Sequence, residues 1–305
     1  MDINSLDKQG SIYIREADKN DAAGFIELMN IHYARKKTIE YFLWQFIDSF
    51  FPARLFLACA GSKIIGCYGV QIRTLNDGRV CGVVIDIAIL ESYRHQGIFS
   101  HLEQTAAAFC RDKQCGAIAV FANVPGKMAH LKLKKWKNVG IIQSLELKRN
   151  ELNSFRQSLG QWKQNTLISF AKNEEFRRWR FTHNPEYNYF INHDGNNHFT
   201  VSKIFTDPLT KSKYGDIVDM ELNNYETDHG ALLVQKTCLF LFDQGAHLIT
   251  IWALPHTKIF EQLISLGFKT SEYERYFCLR IFNEKYSDLL QINNWELVQS
   301  DTEVF

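Results

Sequence analysis

The sequence predicts an α/β protein that contains two copies of one unit, each with a mixed central sheet flanked by helices. Short apolar segments rich in β-branched residues alternate with segments of helical spacing, which is the pattern of this fold class. An internal repeat relates the two halves of the chain, and its 305 residues provide enough length for two domains of ordinary size.

The repeat is visible in four segments that occur in the same order in both halves. GVVIDIAI and GDIVDMEL lie 133 residues apart and pair Asp86 with Asp219, and the same offset pairs Gly97 with Gly230. The aromatic segments EYFLWQF and EFRRWRF match at an offset of 135, and LKLKKWKNVG matches QLISLGFKTS further along. Four matches in one order at nearly constant offsets indicate two copies of one unit.

Each unit, residues 1–150 and 151–305, is expected to run helix, helix, strands, glycine turn, helix, strand, helix, strand. Four strands of the first unit are predicted at LFLACAG, IIGCYGVQIRTL, VCGVVIDIAIL and AIAVFAN. The NDG sequence at 76–78 predicts a hairpin turn, and FSHLEQTAAAFCRDK has the spacing and the basic end of a helix. No Pro- or Gly-rich linker separates the units, so we expect them to pack together.

Composition and charge exclude several classes of function. The 35 basic and 34 acidic residues give a net charge of +1, which does not indicate a nucleic-acid-binding surface. The chain lacks a long uncharged apolar segment, and MDINSLDKQG lacks the basic and apolar regions of a signal peptide, so neither a membrane span nor secretion is expected. The seven cysteines are odd in number and form no CxxC motif, which favours a cytoplasmic protein with reduced thiols and no metal site.

A glycine turn between a strand and a helix is the first candidate binding site. The apolar strand VVIDIAIL is followed by ESYRHQGIFSHLEQ, in which Arg94 and Gly97 precede a predicted helix. A glycine at the start of a helix lets backbone N–H groups approach a ligand, and the helix start carries partial positive charge. This combination suits a phosphate or pyrophosphate.

The turn and the segments after it resemble the acyl-CoA-binding region of the GNAT superfamily of N-acetyltransferases. The family pattern is Arg/Gln-x-x-Gly-x-Gly/Ala, and here Arg94, Gly97 and Phe99 occupy it, although Phe99 departs from the small final residue. AIAVFANVPGKMAHLKLKKW then resembles the family's next strand, its Asn (Asn123) and its closing helix, with Lys135 at the usual glycine. The resemblance is good over residues 12–148 and looser in the second half.

This resemblance implies that the co-substrate is acetyl-CoA or another acyl-CoA. The pyrophosphate would lie on backbone N–H groups of the glycine turn, and the pantetheine arm would run along the preceding strand. The residues that the resemblance places against CoA are Ile87, Ala88, Ile89, Arg94, His95, Gln96, Gly97, Ile98, Phe99 and Asn123.

The second unit departs from the pattern at the same turn. Aligned on Gly230, it has Thr227 and Asp228 where the first unit has Arg94 and His95. An acidic residue repels phosphate, and the lost cation removes charge-assisted contacts. We therefore expect the second unit to bind no CoA and to contribute to an acceptor site at the interface between the units.

Acyl transfer to an amine requires a base, donors for the oxyanion and a proton for the leaving thiolate. The resemblance places the oxyanion near a backbone N–H of Ile87 or Ala88. Asp86 is the candidate base, because it is an acid inside an apolar strand; the alternative is a structural carboxylate, which its recurrence as Asp219 favours. His130 is the candidate acid, and the alternative is a surface or interface histidine.

The arginines of EFRRWRFTHNPEYNYF are the candidate acceptor-binding residues. Arg177, Arg178 and Arg180 lie among aromatic residues, a composition that suits the diphosphate of a nucleotide-linked sugar. The alternative is a helix with a buried Trp179 and solvated arginines.

We therefore predict an acetyl-CoA-dependent N-acetyltransferase that acts on a small-molecule amine. A nucleotide-linked amino sugar is the favoured acceptor, because the GIF sequence resembles GNAT-like proteins of bacterial surface-polysaccharide pathways. An amino acid or peptide amine is the rival acceptor. A non-catalytic protein that binds an acyl-CoA or a metabolite is the alternative from another class, favoured by Phe99, Lys135 and the lack of an obvious acid/base pair.

Overall fold

Strands from both halves of the chain form one continuous sheet in the computed structural model, which describes residues 12–32, 36–153, 167–194, 198–221 and 229–302. Within these residues the strands are β1 Ile12–Glu16, β2 Ala53–Ala60, β3 Lys63–Thr74, β4 Val80–Ile89, β5 Ala117–Ala122, β6 Lys137–Lys148, β7 Tyr189–His193, β8 Phe199–Thr206, β9 Lys213–Glu221, β10 Leu248–Ala253 and β11 Lys269–Ile281. The α-helices are α1 Ala22–His32, α2 Ile39–Phe42, α3 Ile98–Asp112, α4 Val124–Lys132, α5 Glu174–Arg177, α6 His229–Asp243 and α7 Lys258–Ser265. The predicted mixed α/β class is confirmed.

The two halves exchange their last strands at the centre of the sheet. The strand order is β1-β2-β3-β4-β5-β11-β6-β10-β9-β8-β7. Strand β11 of the second half pairs with β5, with Tyr276 opposite Ala122, and β6 of the first half pairs with β10, with Gln143 opposite Ala253. The sequence predicted a sheet for each unit, whereas the structure has one shared sheet. Pairing β6 with β11 removes two open strand edges, which would otherwise expose unpaired backbone groups.

Two equivalent tryptophans meet where the halves join. Helices α2 and α5 continue into π-helical turns at Leu43–Ile47 and Arg178–Thr182, which carry Trp44 and Trp179. Their rings stack at 4.4 Å and 11°. The Trp44 indole N–H donates to the Trp179 carbonyl at 3.1 Å, and the Trp179 indole N–H donates to the Trp44 carbonyl at 3.4 Å. The reciprocal contact relates the two aromatic segments by an approximate twofold axis.

The first half follows the predicted order of elements closely. The four strands predicted there are β2 to β5, and the helix predicted from FSHLEQTAAAFCRDK is α3. The hairpin predicted at 76–78 joins β3 to β4, with Gly78 at a φ of +86°. Strand β1 was not predicted; it lies at the edge of the sheet and pairs with β2. Helices α1 and α3 pack on opposite faces of the sheet, in separate apolar clusters.

One predicted turn position is wrong. The sequence comparison placed Lys135 at the glycine that follows the closing helix, but the residue with a left-handed backbone is Lys134, with a φ of +57°. It corresponds to Gly267, with a φ of +102°, since each follows the C-cap residue of its helix, Leu133 or Leu266. Among the described residues, no helix is long and apolar enough to cross a membrane.

Candidate active site

A cavity of about 920 Å³ opens where β4 and β5 separate. These parallel strands pair only from Cys81 to Val83 on β4 and from Ala117 to Ala119 on β5. Beyond this point the edge of β4 that faces β5 is not paired with that strand. The cavity is bounded by the ends of both strands, the turn before α3 and the start of that helix, helix α4, His32 at the end of α1 and Arg275 of β11. Its volume is in the range of ligand pockets.

Asp86 lies in this cavity on a β-bulge. Tyr68 of β3 pairs with Ile87 and Gly69 pairs with Ile85, so Asp86 is the extra residue of β4 and has a φ of +44°. Its side chain is buried and accepts a hydrogen bond from the Tyr41 hydroxyl at 2.7 Å. Strained backbone that the surrounding structure maintains is concentrated at functional sites, and a bulge turns a side chain out of the ladder.

The glycine turn has the geometry of an anion cradle. Gly97 is the N-cap of α3 with a φ of +79°, and a Cβ built on it meets no atom within 4 Å. No side chain caps α3, so the first N–H groups of a 15-residue helix point toward the turn without a side-chain acceptor. Arg94 and His95 of the turn line the cavity. Gln96 does not line it; its side-chain amide donates to the Ser92 carbonyl at 3.2 Å.

The remaining residues expected against CoA also line the cavity: Ile87, Ala88, Ile89, Ile98, Phe99 and Asn123. Asn123 is the N-cap of α4 and accepts a hydrogen bond from the Gly126 N–H at 2.9 Å. Helix α3 is held from the second half, because Glu103 pairs with Arg280 of β11 and also accepts from the Trp136 indole N–H. The strand exchange therefore fixes the helix that carries the cradle.

His130 lines the cavity, but both of its ring nitrogens are engaged by the protein. Nδ1 lies 2.8 Å from the Gly126 carbonyl, which can only accept, so Nδ1 carries the proton. Nε2 lies 3.0 Å from the Tyr68 hydroxyl and accepts from it. Burial lowers the pKa of His130 to about 4, so the ring is neutral near pH 7. This geometry favours a role in positioning α4 over the catalytic role expected from the sequence.

The first half matches a known family over the residues that form this cavity. Residues 25–130 match the family model described as the acetyltransferase (GNAT) family. This match covers about a third of the chain. GNAT acetyltransferases take the acyl group from acyl-CoA, so the protein is an acyl-CoA-dependent N-acetyltransferase with acetyl-CoA as its co-substrate.

Solved structures share the fold of nearly the whole chain. A GCN5-related N-acetyltransferase from Kribbella flavida superposes with a TM-score of 0.63 at 9% identity, over 94% of this chain and 75% of that chain. A GCN5-related glucosamine N-acetyltransferase region of a fungal multi-domain β-N-acetylglucosaminidase has a TM-score of 0.56 at 10% identity, over 90% and 39%. Saccharomyces cerevisiae N-myristoyltransferase with bound myristoyl-CoA has a TM-score of 0.59 at 10% identity, over 92% and 81%. No curated protein sequence matches the chain.

The three arginines expected at the acceptor do not converge, and none of them lines the cavity. Arg177 pairs with Glu221, and exposed Arg178 pairs with Glu174 on its own helix. Arg180 is buried, where it donates to the Thr302 carbonyl at 2.9 Å and to the Tyr189 hydroxyl. Residues one or two apart do not face each other on a helix, so Arg178 points away from both of the other arginines. Each arginine therefore makes a separate contact, and the acceptor-binding role expected for them stays a prediction.

The equivalent acid of the second half is enclosed. Asp219 pairs with Val201 in the ladder, and the extra residue of that bulge is Val218, so the two acids lie in different backbone geometry. The Lys172 ammonium lies 3.1 Å from both Asp219 and Asp301. Burial opposes the charge of Lys172, but the two carboxylates raise its pKa above the usual value. Thr227 and Asp228, which align with Arg94 and His95 of the first half, lie outside the described residues.

Two residues of the site were missed from the sequence. Tyr41 aligns with Phe176 of the second half, and this difference of one hydroxyl inside a matching aromatic frame was the signal that could have identified it. Arg275 reaches the cavity from β11, and no local pattern could have placed it there, because its position depends on the strand exchange. Among the described residues, no group of three or more His, Cys, Asp or Glu could hold a metal ion.

Proposed function

We propose that the protein is a cytoplasmic tandem GNAT enzyme whose first half binds acetyl-CoA and acetylates the amine of a small molecule. The observation that carries this proposal is the wedge between β4 and β5, which has an uncapped helix start on one side and the buried Asp86 on the other. The first half is the catalytic unit, residues 1–150. The second half, residues 151–305, supplies strand β11 to the wall of the site.

The proposed chemistry divides the cavity into two sides. The pyrophosphate of acetyl-CoA binds Arg94 and the N–H groups at the start of α3. The pantetheine arm lies along Ile87 to Ile89, where β4 is not hydrogen-bonded to β5. The acceptor binds on the side where Asp86 meets Tyr41. Free strand edges bind extended ligands through main-chain hydrogen bonds.

In the transfer step, the amine nitrogen forms a bond to the thioester carbonyl carbon while Asp86 takes the amine proton. A backbone N–H of Ile87 or Ala88 holds the oxyanion of the tetrahedral intermediate. The C–S bond then breaks and CoA leaves as the thiolate, which takes the proton held by Asp86 and restores the carboxylate. The Tyr41 hydroxyl fixes the orientation of the Asp86 carboxylate through its hydrogen bond.

For the acceptor we propose an amino sugar, with a nucleotide-linked amino sugar of surface-polysaccharide synthesis as the first candidate. One structure of the same fold is described as a glucosamine N-acetyltransferase region, and its likeness supports the fold rather than the substrate. Dispersal of Arg177, Arg178 and Arg180 removes the residues that the sequence offered for a diphosphate. The acceptor's anionic part, if present, must therefore be recognised elsewhere.

The cradle is tested by thermal unfolding with and without acetyl-CoA. At a hundred times its dissociation constant, the ligand should stabilise the native protein by about 2.7 kcal/mol. Gly97→Glu should abolish this gain, because the new carboxylate lies in the open space at the start of α3 and repels phosphate. Gly78→Glu is the matched control, since Gly78 also has a positive φ with no atom within 4 Å of a built Cβ and lies in a hairpin turn outside the cavity.

A stabilisation that is lost in Gly97→Glu and kept in Gly78→Glu would support the cradle. Stabilisation that persists in Gly97→Glu, or that no acyl-CoA produces in the native protein, would contradict it. Release of the CoA thiol that depends on an added amino sugar then separates an enzyme from a protein that only binds acyl-CoA.

A further inference from the structure

Arg275 of the second half lines the cavity of the first half. Arg275 lies on β11 next to Tyr276, which pairs with Ala122 at the end of β5. Arg275 is therefore beside the start of the turn that leads into Asn123, and it is one of the residues that line the cavity. Strand β5 lies between β11 and β4, and at this level β5 is no longer paired with β4, so Arg275 faces β4 across the opening of the cavity.

The alternation of β11 places Arg275 on the same face of the sheet as the contact between Asp86 and Tyr41. Tyr276 belongs to the apolar cluster under α3, together with Trp136. Phe277 belongs to the cluster on the opposite face, which includes Tyr41. Neighbouring side chains of a strand point to opposite faces, so Arg275 shares the face of Phe277 and Tyr41. The cradle lies on the other face, at the start of α3.

Arg275 has a guanidinium with unused donors. Its Nε is buried without a hydrogen-bond partner, and among the described residues it forms no ion pair. Its ring contact is with Tyr273, at 5.1 Å from the centroid. A buried donor without a partner destabilises the protein, and a guanidinium matches the geometry of carboxylate and phosphate oxygens. Asp86 is the one acid among the described residues that line the cavity, so the wall near Arg275 has no other carboxylate to neutralise it.

We infer that Arg275 binds an anionic group of the acceptor, a carboxylate or a phosphate, while the amine of the same molecule faces Asp86. This inference rests on the proposed function, because it assigns the acceptor to the face on which Asp86 and Tyr41 meet. The substrate class is then a small amine that also carries a negative charge, such as a phosphorylated or nucleotide-linked amino sugar or an amino acid. The second half contributes to the reaction through one cation on the exchanged strand.

The test compares acceptors in pairs that differ by the anionic group. The pairs are glucosamine with glucosamine 6-phosphate and alanine with alaninamide, and UDP-glucosamine is added as a nucleotide-linked probe. Calorimetry measures the affinity of each amine for the full-length protein loaded with CoA, which cannot transfer an acetyl group. Acetyl transfer from acetyl-CoA is measured separately by thiol release. The variants are Arg275→Gln and Arg275→Lys, and the control is Arg149→Gln, an exposed arginine paired with Asp243 outside the cavity.

We expect the native protein to bind the anionic member of at least one pair more tightly. Arg275→Gln should lower the affinity for that member by about 10- to 100-fold, the range of a hydrogen bond to a charged group. The affinity for the uncharged member should not change. Arg275→Lys should recover part of the loss, since lysine keeps the charge without the planar fork. The pair that responds identifies whether the anion is a phosphate or a carboxylate, and Arg149→Gln should behave as the native protein.

Three results would overturn the inference: equal affinity of the native protein for both members of every pair, absence of binding by every anionic amine, or loss of CoA affinity in Arg275→Gln. The last result would assign Arg275 to the phosphates of CoA. The expected binding pattern without acetyl transfer would leave the inference standing and contradict the proposed function.

Discussion

The two halves carry the same acid in the same strand and use it differently. Asp86 is the extra residue of a bulge, accepts from Tyr41 and faces a cavity. Asp219 is paired within its ladder, lies 3.1 Å from Lys172 and accepts from the Ser300 hydroxyl at 2.9 Å. A shift of the bulge by one residue changes the face toward which a side chain points, and this shift separates a buried acid that lines a cavity from a buried acid that pairs with a lysine.

The C-terminal segment accounts for the enclosure. After β11 the chain continues through three short helical turns, of which the last is Gln299–Asp301. Gln299 donates to the Thr250 hydroxyl of β10 at 3.2 Å, and Ser300 donates to Asp219. The segment therefore covers the region of the second half that corresponds to the open wedge of the first. A repeat can retain its acid as a structural charge after the site around it has been filled.

The largest expected effect is that of Asp86→Asn. Asparagine tolerates the left-handed backbone at this bulge and can accept from Tyr41, but it cannot take a proton from the amine. We expect kcat to fall by about 100- to 10,000-fold while acetyl-CoA affinity is retained. The rate of the variant should rise as the pH approaches the pKa of the acceptor amine, because the free amine then needs no base. Steady-state thiol release across pH measures both effects.

Asp219→Asn is the matched control for this comparison. It removes one carboxylate from the buried Lys172 and should lower the free energy of unfolding by about 2 kcal/mol, while activity per folded molecule stays close to native. If Asp86→Asn retained the native rate, or if Asp219→Asn lost as much activity, the distinction between the two acids would be wrong.

A second expected difference concerns pH and the neutral His130. Burial lowers its pKa from 6.5 to about 4 in the folded state, so between these values the unfolded chain binds a proton that the folded chain does not. Stability is therefore complete above pH 6.5 and falls as the pH decreases toward 4, by about 3 kcal/mol in total. His130→Gln should remove this part of the pH dependence.

Urea unfolding of the native protein and His130→Gln at several pH values between 4 and 7 measures that difference. The control is His101→Gln, since His101 is exposed on α3 and should leave the native slope unchanged. Equal slopes for the native protein and His130→Gln would contradict the buried neutral ring. A large fall in kcat for His130→Gln at pH 7, with acetyl-CoA affinity intact, would restore the catalytic role expected from the sequence.

Local patterns predicted the first half well, because the relevant interactions lie close in sequence. The apolar runs of β2 to β5, the NDG hairpin and the Gly97 turn were all read from a few neighbouring residues, and the structure has them. Nine of the ten residues assigned to CoA lie between positions 87 and 99, the tenth is Asn123, and all but Gln96 line the cavity.

Long-range features could not be predicted in the same way. The exchange of β6 and β11 depends on which strand edges meet in space, and it alone brings Arg275 to the cavity. The arginines of EFRRWRF looked like one cluster in the sequence, whereas Arg178 lies at the surface and Arg180 in the core. Residues two apart point away from each other on a helix, so closeness in sequence did not bring these side chains together.

The smallest expected effect tests the one turn that sequence alignment misplaced. Lys134 follows α4 in a left-handed backbone conformation, which is unfavourable for a residue with a side chain. At the equivalent turn, a Cβ added to Gly267 would lie only 2.0 Å from the Glu151 carbonyl oxygen. Lys134→Gly should therefore raise the free energy of unfolding by about 0.5 to 1 kcal/mol, measured by urea denaturation. Lys135→Gly should lower it by a similar amount, because that residue has no positive φ to relieve and glycine adds entropy to the unfolded chain. If Lys135→Gly stabilised the protein and Lys134→Gly destabilised it, the alignment that placed the glycine at Lys135 would be restored, and the two closing turns would not be equivalent.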